Sequence, residues 1–259
     1  MNHEQIQALA LVVDEAAQTA TSISMLTASV PELDLEGAYD VQRASMALRS
    51  ARGERVIGMK MGLTSVAKMK QMGVHNPIYG HLTDAMRVND GAAIIKSEHC
   101  HPRVEPEIAF VLARELRGPV TAQQALEAVG GVYAALEIID SRYRDFKFTL
   151  IDVVADNASS ARFVIGNTSR AVDAVELGNL GMVMEINGQV REVGSSAAIL
   201  EHPARSLAEL ANMLAERDEY LQAGQVVLAG AATAAVAVEV GDHVRLLIDT
   251  LGTVEFTVA

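Results

Sequence analysis

The stretch Val104-Glu105-Pro106-Glu107-Ile108-Ala109-Phe110-Val111-Leu112 sets two carboxylates at the head of an unbroken apolar run, and Val132-Tyr133-Ala134-Ala135-Leu136-Glu137-Ile138-Ile139-Asp140 carries a third within another. Both runs lack helical spacing and are rich in β-prone residues, which predicts two strands; the lack of alternation predicts strands covered on both faces. Side chains alternate along a strand, so Glu105 and Glu107 share a face and Glu137 on a second strand can join them. Three carboxylates in an apolar setting call for proton uptake, a basic partner or a cation, and an all-oxygen donor set suits a hard divalent ion such as Mg²⁺. Spacing alone leaves a second reading open, in which Glu105 and Glu107 form the solvated face of a half-buried strand and Glu137 lies on a helix or edge.

Outward from this pair the texture of the chain is uneven. Ile6, Leu9, Val12, Val13 and Ala16 follow a helical period within Gln5 to Thr21, and Ala38, Val41, Ala44 and Leu48 repeat it within Glu36 to Ala51. Residues 1–53 are therefore expected to form a helical N-terminal extension, and residues 54–259 a β-rich domain that carries the chemistry. Arg55 to Met61 reads as a strand, Ser65 to Gln71 as a short helix capped by Thr64 or Ser65, and Gly73 to Leu82 as a surface loop. Helices are expected at Thr121 to Val129 and Ser206 to Arg217, and Asn187-Gly188 signals a tight hairpin. Gln225 to Val258 alternates Val, Leu and Ile runs with glycines, as an antiparallel sheet would. Too few helices separate the later strands for a repeating βαβ fold, so the class is α+β.

Composition excludes several functions. With 21 Lys plus Arg against 33 Asp plus Glu in 259 residues, the formal net charge of −12 opposes nucleic-acid binding through a basic surface. Cys100 is the sole cysteine, so no intrachain disulfide forms and a reducing compartment fits. The N-terminus lacks the pattern of a signal peptide and no apolar run reaches membrane-spanning length, so the expected location is cytoplasmic.

Other groups carry chemistry less clearly. Lys60, in Ile57-Gly58-Met59-Lys60-Met61-Gly62, is a cation within an apolar strand; it is either a side chain reaching solvent along the edge or a buried partner for a substrate anion. Gly62-Leu63-Thr64-Ser65 lacks phosphate-loop spacing and reads as a turn and cap. His99-Cys100-His101 resembles metal-ligand material, but adjacent strand residues face opposite ways and no second cysteine exists. No Gly-x-Ser-x-Gly nucleophile elbow occurs. Asp156-Asn157-Ala158-Ser159-Ser160 reads as a turn of small polar residues.

Taken in order, Gly58-Met59-Lys60-Met61-Gly62-Leu63-Thr64-Ser65, Val104-Glu105-Pro106-Glu107-Ile108-Ala109, Glu137-Ile138-Ile139-Asp140-Ser141-Arg142 and Val154-Ala155-Asp156-Asn157-Ala158-Ser159 resemble the hydratase/decarboxylase family of the fumarylacetoacetate hydrolase superfamily. The resemblance spans almost the whole chain. It implies a mixed β-roll or incomplete barrel with a helical N-terminal part. It also implies divalent-metal-dependent decarboxylation of 4-oxalocrotonate (2-oxo-3-hexenedioate) to 2-hydroxypenta-2,4-dienoate and CO₂, in meta-cleavage degradation of aromatic compounds. Ile139-Asp140-Ser141-Arg142-Tyr143 with Phe146-Lys147-Phe148 is closer to that branch than to its sister, 2-hydroxypenta-2,4-dienoate hydratase. By the same resemblance Glu105, Glu107 and Glu137 hold Mg²⁺ or Mn²⁺, and Lys60 faces the substrate as the catalytic residue. Ser159 and Thr233 bind substrate, the latter within the turn Ala229-Gly230-Ala231-Ala232-Thr233, and Lys70 to Leu82 forms a lid. The implied partners are a 2-oxo diacid, a homologous hydratase and further copies of the chain. A metal-independent assembly subunit is the rival reading from another class.

Overall fold

The computed structural model describes residues 1–65, 69 and 76–259. The helix expected over Ser65 to Gln71 lies largely outside these residues, as does the first part of the expected lid.

Helix α1 (His3–Thr19) opens with a reciprocal capping box between Asn2 and Gln5, and α3 (Leu35–Ala51) opens with the Asp34 carboxylate accepting from the Gly37 N–H. These caps satisfy amide donors that the helices leave unpaired. A single turn, α2 (Leu26–Ser29), lies between them. Ile6, Ala10 and Val13 of α1 and Ala38 and Val41 of α3 are buried in the same apolar cluster as Phe110, Leu136 and Ile138; α1 packs on α3, and α3 meets the sheet where Tyr39 stacks on Tyr79 and Gln42 donates to the Tyr79 carbonyl. The remaining α-helices described in full are α4 (Ala122–Glu127), with Thr121 and Gln124 as capping box, α5 (Leu150–Ala155) and α6 (Pro203–Ala215).

The strands are β1 (Val56–Gly62), β2 (Ile78–Thr83), β3 (Arg87–Val88), β4 (Ala93–Ile94), β5 (Arg103–Leu112), β6 (Val129–Ile139), β7 (Ser160–Ile165), β8 (Gly181–Ile186), β9 (Gln189–Ser195), β10 (Val226–Leu228), β11 (Val236–Ala237), β12 (His243–Ile248) and β13 (Gly252–Val258). One sheet runs β2-β1-β10-β5-β6-β7-β3 with β11 beside β5; the other runs β4-β13-β12-β8-β9. The expected hairpin joins β8 to β9, with Asn187 and Gly188 both at positive φ as its turn requires.

Two expectations are corrected. The end of the segment read as a surface loop, Ile78–Thr83, is a mostly buried strand paired antiparallel with β1. Gly80 and His81 interrupt its apolar pattern, and the strand is specified by its pairing instead. The C-terminal stretch is not one antiparallel sheet: β10 inserts between β1 and β5, parallel to β1, while β12 and β13 build the second sheet. Pairing between segments so distant in sequence leaves no local periodicity to read. Pro106 is accommodated within β5 because its carbonyl, which accepts from the Ala232 N–H, faces the gap between β10 and β11, where the ladder is interrupted and no donor is needed.

The first sheet is curled. Lys60 on β1 and Glu137 on β6 are three strand spacings apart, roughly 14 Å in a flat sheet. Their charged ends nonetheless meet at 3.0 Å. A lysine side chain alone does not reach that far, so the sheet bends into a half-barrel around them. Register places Lys60, Leu228, Ala109 and Tyr133 in one row of the concave face, Glu107, Ala135 and Ile165 in the next, and Glu105, Glu137 and Phe163 in the third. Leu82, Met86, Ala109, Ala135, Phe163, Ile165, Val226 and Leu228 form an apolar cluster on this face, and the carboxylates sit against it.

Candidate active site

Glu105 and Glu137 are directly opposite in the β5–β6 ladder, and Glu107 follows two residues along β5. One carboxylate oxygen from each lies within 4.8 Å of the others. Glu107 and Glu137 are fully buried, while Glu105 is partly exposed, so the reading of a solvated strand face does not describe this structure. Lys60 is buried too, and its Nζ lies 3.0 Å from Glu137 Oε2 and donates to the Ala158 carbonyl at 3.1 Å.

The cluster is not self-sufficient. Glu107 Oε2 accepts from the Gly230 N–H at 2.7 Å, but Glu107 Oε1 and Glu137 Oε1 are buried without a polar partner, and Glu137 Oε2 meets Lys60 only as an ion pair. Such oxygens are costly unless something satisfies them. Burial, reinforced by Glu137, pushes the Glu107 carboxyl well above the usual range. Burial would pull the Lys60 ammonium down, yet Glu137, Glu107 and Glu105 outweigh it and hold the ammonium above its ordinary value. Three carboxylates and one ammonium (−3 + 1) leave a formal charge of −2 when all are ionised, which a divalent cation cancels. The oxygen-only donor set and the two unpartnered buried oxygens fit a hard ion.

The mouth of this concavity is a cleft lined, among the described residues, by Met61 to Ser65, Glu105 and Ala231. Gly230 packs against Thr64 of this lining in a way only glycine permits. Its φ is +110°, and a Cβ there would lie 2.2 Å from Thr64 Oγ1. Thr64 is thus a packing residue against Gly230, in keeping with its reading as part of a turn. Ser159 is buried beside Ala158 with its Oγ unpartnered. Thr233 stands further along the same turn, its methyl against Gly194. The imidazole of His99 meets the Ile95 carbonyl and that of His101 meets Ser22, so this pair turns to separate protein partners.

Sequence reasoning missed several supporting groups. Arg142 and Asp156 form a wholly buried ion pair. The guanidinium also donates to the Asp156 and Ser160 carbonyls, and the Arg142 N–H donates to the Asp156 carboxylate. Burial raises Asp156 to about 6 against the opposing pull of Arg142. The Asn157 side chain grips the His81 main chain, and Gly80 gives it room. The sequence signals were the motifs that contain Arg142 and Asp156 and the run of small polar residues at 156–160, none of which shows the pairing.

With this geometry in place, the relatives can be compared. Residues 57–259 match the family described as fumarylacetoacetate (FAA) hydrolase C-terminal. The chain is 47% identical over 247 residues to a 4-oxalocrotonate decarboxylase of Pseudomonas sp. (strain CF600), covering 95% of this chain and 94% of that one. It is 40% identical to a 2-hydroxyhexa-2,4-dienoate hydratase of Comamonas testosteroni, covering 94% of each chain. A solved structure of 4-oxalocrotonate decarboxylase from Pseudomonas putida G7, complexed with magnesium and adipate, superposes with a TM-score of 0.98 at 44% identity, over 100% of this chain and 99% of the other. The resemblance read from four short motifs therefore holds at the level of whole sequences and of fold: the chain belongs to the fumarylacetoacetate hydrolase family.

Proposed function

We propose that the protein is a carboxy-lyase that decarboxylates 4-oxalocrotonate to 2-hydroxypenta-2,4-dienoate and CO₂ with a divalent cation, Mg²⁺ or Mn²⁺, held by Glu105, Glu107 and Glu137. The observation that carries this reading is the buried carboxylate cluster with unpartnered oxygens, faced by one buried ammonium. Full-length similarity to 4-oxalocrotonate decarboxylases supports the choice of substrate.

When bound, the cation supplies Lewis acidity and an anchor for the carboxylate and keto oxygens of a 2-oxo acid. Lys60, pinned between Glu137 and the Ala158 carbonyl, presents its ammonium to the keto oxygen. The bond between C5 and C6 breaks, its electron pair moves through the conjugated carbons to that oxygen, and CO₂ departs. Lys60 stabilises the negative charge as it develops, a task in which a preorganised donor outperforms water. Protonation of the oxygen completes the product. Ser159, with its hydroxyl buried and unpartnered, and Thr233 orient the substrate at the rim of the concavity. The apolar cluster beneath the carboxylates keeps water from the reacting carbons. Of the lid expected over 70–82, only the part before Ile78 belongs to the same reading, since Ile78 to Leu82 lie in β2 of the sheet.

The rival within the family is hydration of 2-hydroxypenta-2,4-dienoate, which the hydratase relative keeps in view. Incubation with Mg²⁺ and each substrate separates the two. CO₂ release from 2-oxo-3-hexenedioate is the expected outcome, and water addition without CO₂ release overturns it. Assembly into homo-oligomers and association with a homologous hydratase complete the proposal, read by light scattering alone and after mixing. Tight hydratase binding without turnover would instead favour an assembly subunit. No helix among the described residues is long and apolar enough to cross a membrane; a cytoplasmic location remains part of the proposal, tested by fractionation.

A further inference from the structure

The lysine at the centre of this site is held by a backbone carbonyl, and the means by which that carbonyl is presented is unusual. Asn157, Ala158 and Ser159 all have positive φ, at 51°, 51° and 59°. Non-glycine residues visit this region singly and at a cost, so three in succession persist only where the surroundings impose them. The restraints are visible. Asp156, at the start of the turn, is fixed by Arg142, and the Ser159 carbonyl accepts from the Asp140 N–H at 2.7 Å. Asn157 forms the third restraint: its Oδ1 accepts from the His81 N–H at 2.7 Å and its Nδ2 donates to the His81 carbonyl at 2.9 Å.

These contacts clamp the turn onto β2 beside Gly80, which is the residue opposite Lys60 in the β1–β2 ladder. A Cβ on Gly80 would lie 2.5 Å from the Asn157 carbonyl oxygen, so the turn approaches this closely only because position 80 is glycine. The consequence is that the Ala158 carbonyl overhangs the strand and meets Lys60 Nζ at 3.1 Å. An ammonium has three donors. One goes to Ala158, and the ion pair with Glu137 Oε2 at 3.0 Å holds the ammonium from a second side, which leaves it open toward a substrate oxygen.

We propose that Asn157, seated over Gly80, is a positioning residue that aims the Lys60 ammonium at the substrate oxygen. The proposal rests on the reading of Lys60 given above. Asn157 touches neither the carboxylates nor the cleft among the described contacts; it acts through the carbonyl of the residue after it. Without the clamp the turn relaxes, the carbonyl withdraws, and a flexible lysine is left with Glu137 alone.

The test uses oxalate, a small planar dianion with adjacent oxygens, titrated calorimetrically into the full-length protein saturated with Mg²⁺. Lys60→Ala is expected to weaken oxalate by about tenfold or more, the loss of one charged hydrogen bond. Asn157→Ala is expected to produce most of that loss, with Mg²⁺ affinity close to wild type and a melting temperature lowered by the loss of its two bonds to His81. Asn157→Gly, for which a positive φ carries no penalty, removes the clamp without the strain and should match Asn157→Ala, which also covers the case in which the alanine variant folds poorly. In the Lys60→Ala background, Asn157→Ala should add less than about twofold, because its effect passes through the lysine. Wild-type oxalate affinity in both Asn157 variants, or an undiminished additive loss in the double variant, overturns the inference while leaving Lys60 in its role. Unaltered affinity in Lys60→Ala removes Lys60 from the site and takes the inference with it.

Discussion

Two buried charge clusters, which come within five residues of each other along the chain at Glu137 and Arg142, are built on opposite principles. Arg142 and Asp156 are wholly enclosed, and the guanidinium and carboxylate meet each other or nearby main-chain groups through several hydrogen bonds. Glu105, Glu107, Glu137 and Lys60 carry an excess of negative charge, with two carboxylate oxygens buried and unpartnered. A closed network rigidifies what surrounds it; an open one stores unfavourable energy until a ligand completes it. The first holds the turn that carries Ala158 and Ser159, and the second uses what that turn presents.

The largest effect that separates the clusters concerns turnover. Chelation of the divalent ion, or Glu137→Gln, is expected to lower CO₂ release by on the order of 10³-fold, since Lewis-acid stabilisation is worth several kcal/mol. Mg²⁺ should restore the chelated protein but not the variant. Full activity in the presence of chelator would place the open cluster outside the chemistry. Next is stability. Arg142→Met leaves Asp156 buried and uncompensated and is expected to cost about 3–5 kcal/mol by urea unfolding, part of it recovered in the double variant with Asp156→Asn. A loss below about 1 kcal/mol would show that the closed cluster does not restrain the fold.

The order of these two clusters was only half legible in the sequence. Alternation along Val104 to Leu112 put Glu105 and Glu107 on one face, and the matching run before Glu137 supplied the neighbouring strand; both inferences need only local periodicity. Helices α1 and α3 were legible for the same reason. Lys60 was legible through the resemblance but not from its own spacing: whether a strand lysine points to solvent or to a carboxylate depends on the curl of the sheet and on β10, which arrives from far along the chain to separate β1 from β5. Gly80 and Asn157 were invisible singly, because a glycine in a strand and an asparagine in a turn are ordinary until their contact is known. The strand Ile78–Thr83 was lost to the same cause, its specification lying in a partner and not in its own pattern.

A half-buried ionisable side chain, His81, borders the turn and sharpens the contrast through pH. Burial, helped by Arg43, lowers its pKa to about 4. An unfolded histidine titrates near 6.5, so between pH 6.5 and 4 the unfolded chain takes up a proton that the folded one refuses. Stability should therefore rise with pH through this window by on the order of 2–3 kcal/mol and level off above it. His81→Gln keeps the main-chain bonds to Asn157 and should flatten this slope in urea midpoints measured from pH 4 to 7. An unaltered slope would assign the acid sensitivity to other groups.

The smallest effect is the most pointed, because one chemical change is expected to act with opposite sign in the two clusters. Asp156→Asn removes the charge that pairs with Arg142 and should destabilise the protein. Glu107→Gln removes a carboxylate whose ionisation burial and Glu137 already oppose, while an amide oxygen can still accept from the Gly230 N–H. Without metal, that variant should be more stable than wild type by about 1 kcal/mol, a rise of a few degrees in melting temperature. The pH dependence follows: a carboxyl whose pKa is raised by folding contributes stability at low pH and loses it as pH climbs through the raised value, so metal-free wild type should weaken toward alkaline pH more than Glu107→Gln. Saturating Mg²⁺ should reverse the order, since binding stabilises only the chain that retains its ligand. If Glu107→Gln melts below wild type in chelator at every pH, the cluster is held together by its own contacts and the distinction between the open and the closed network fails.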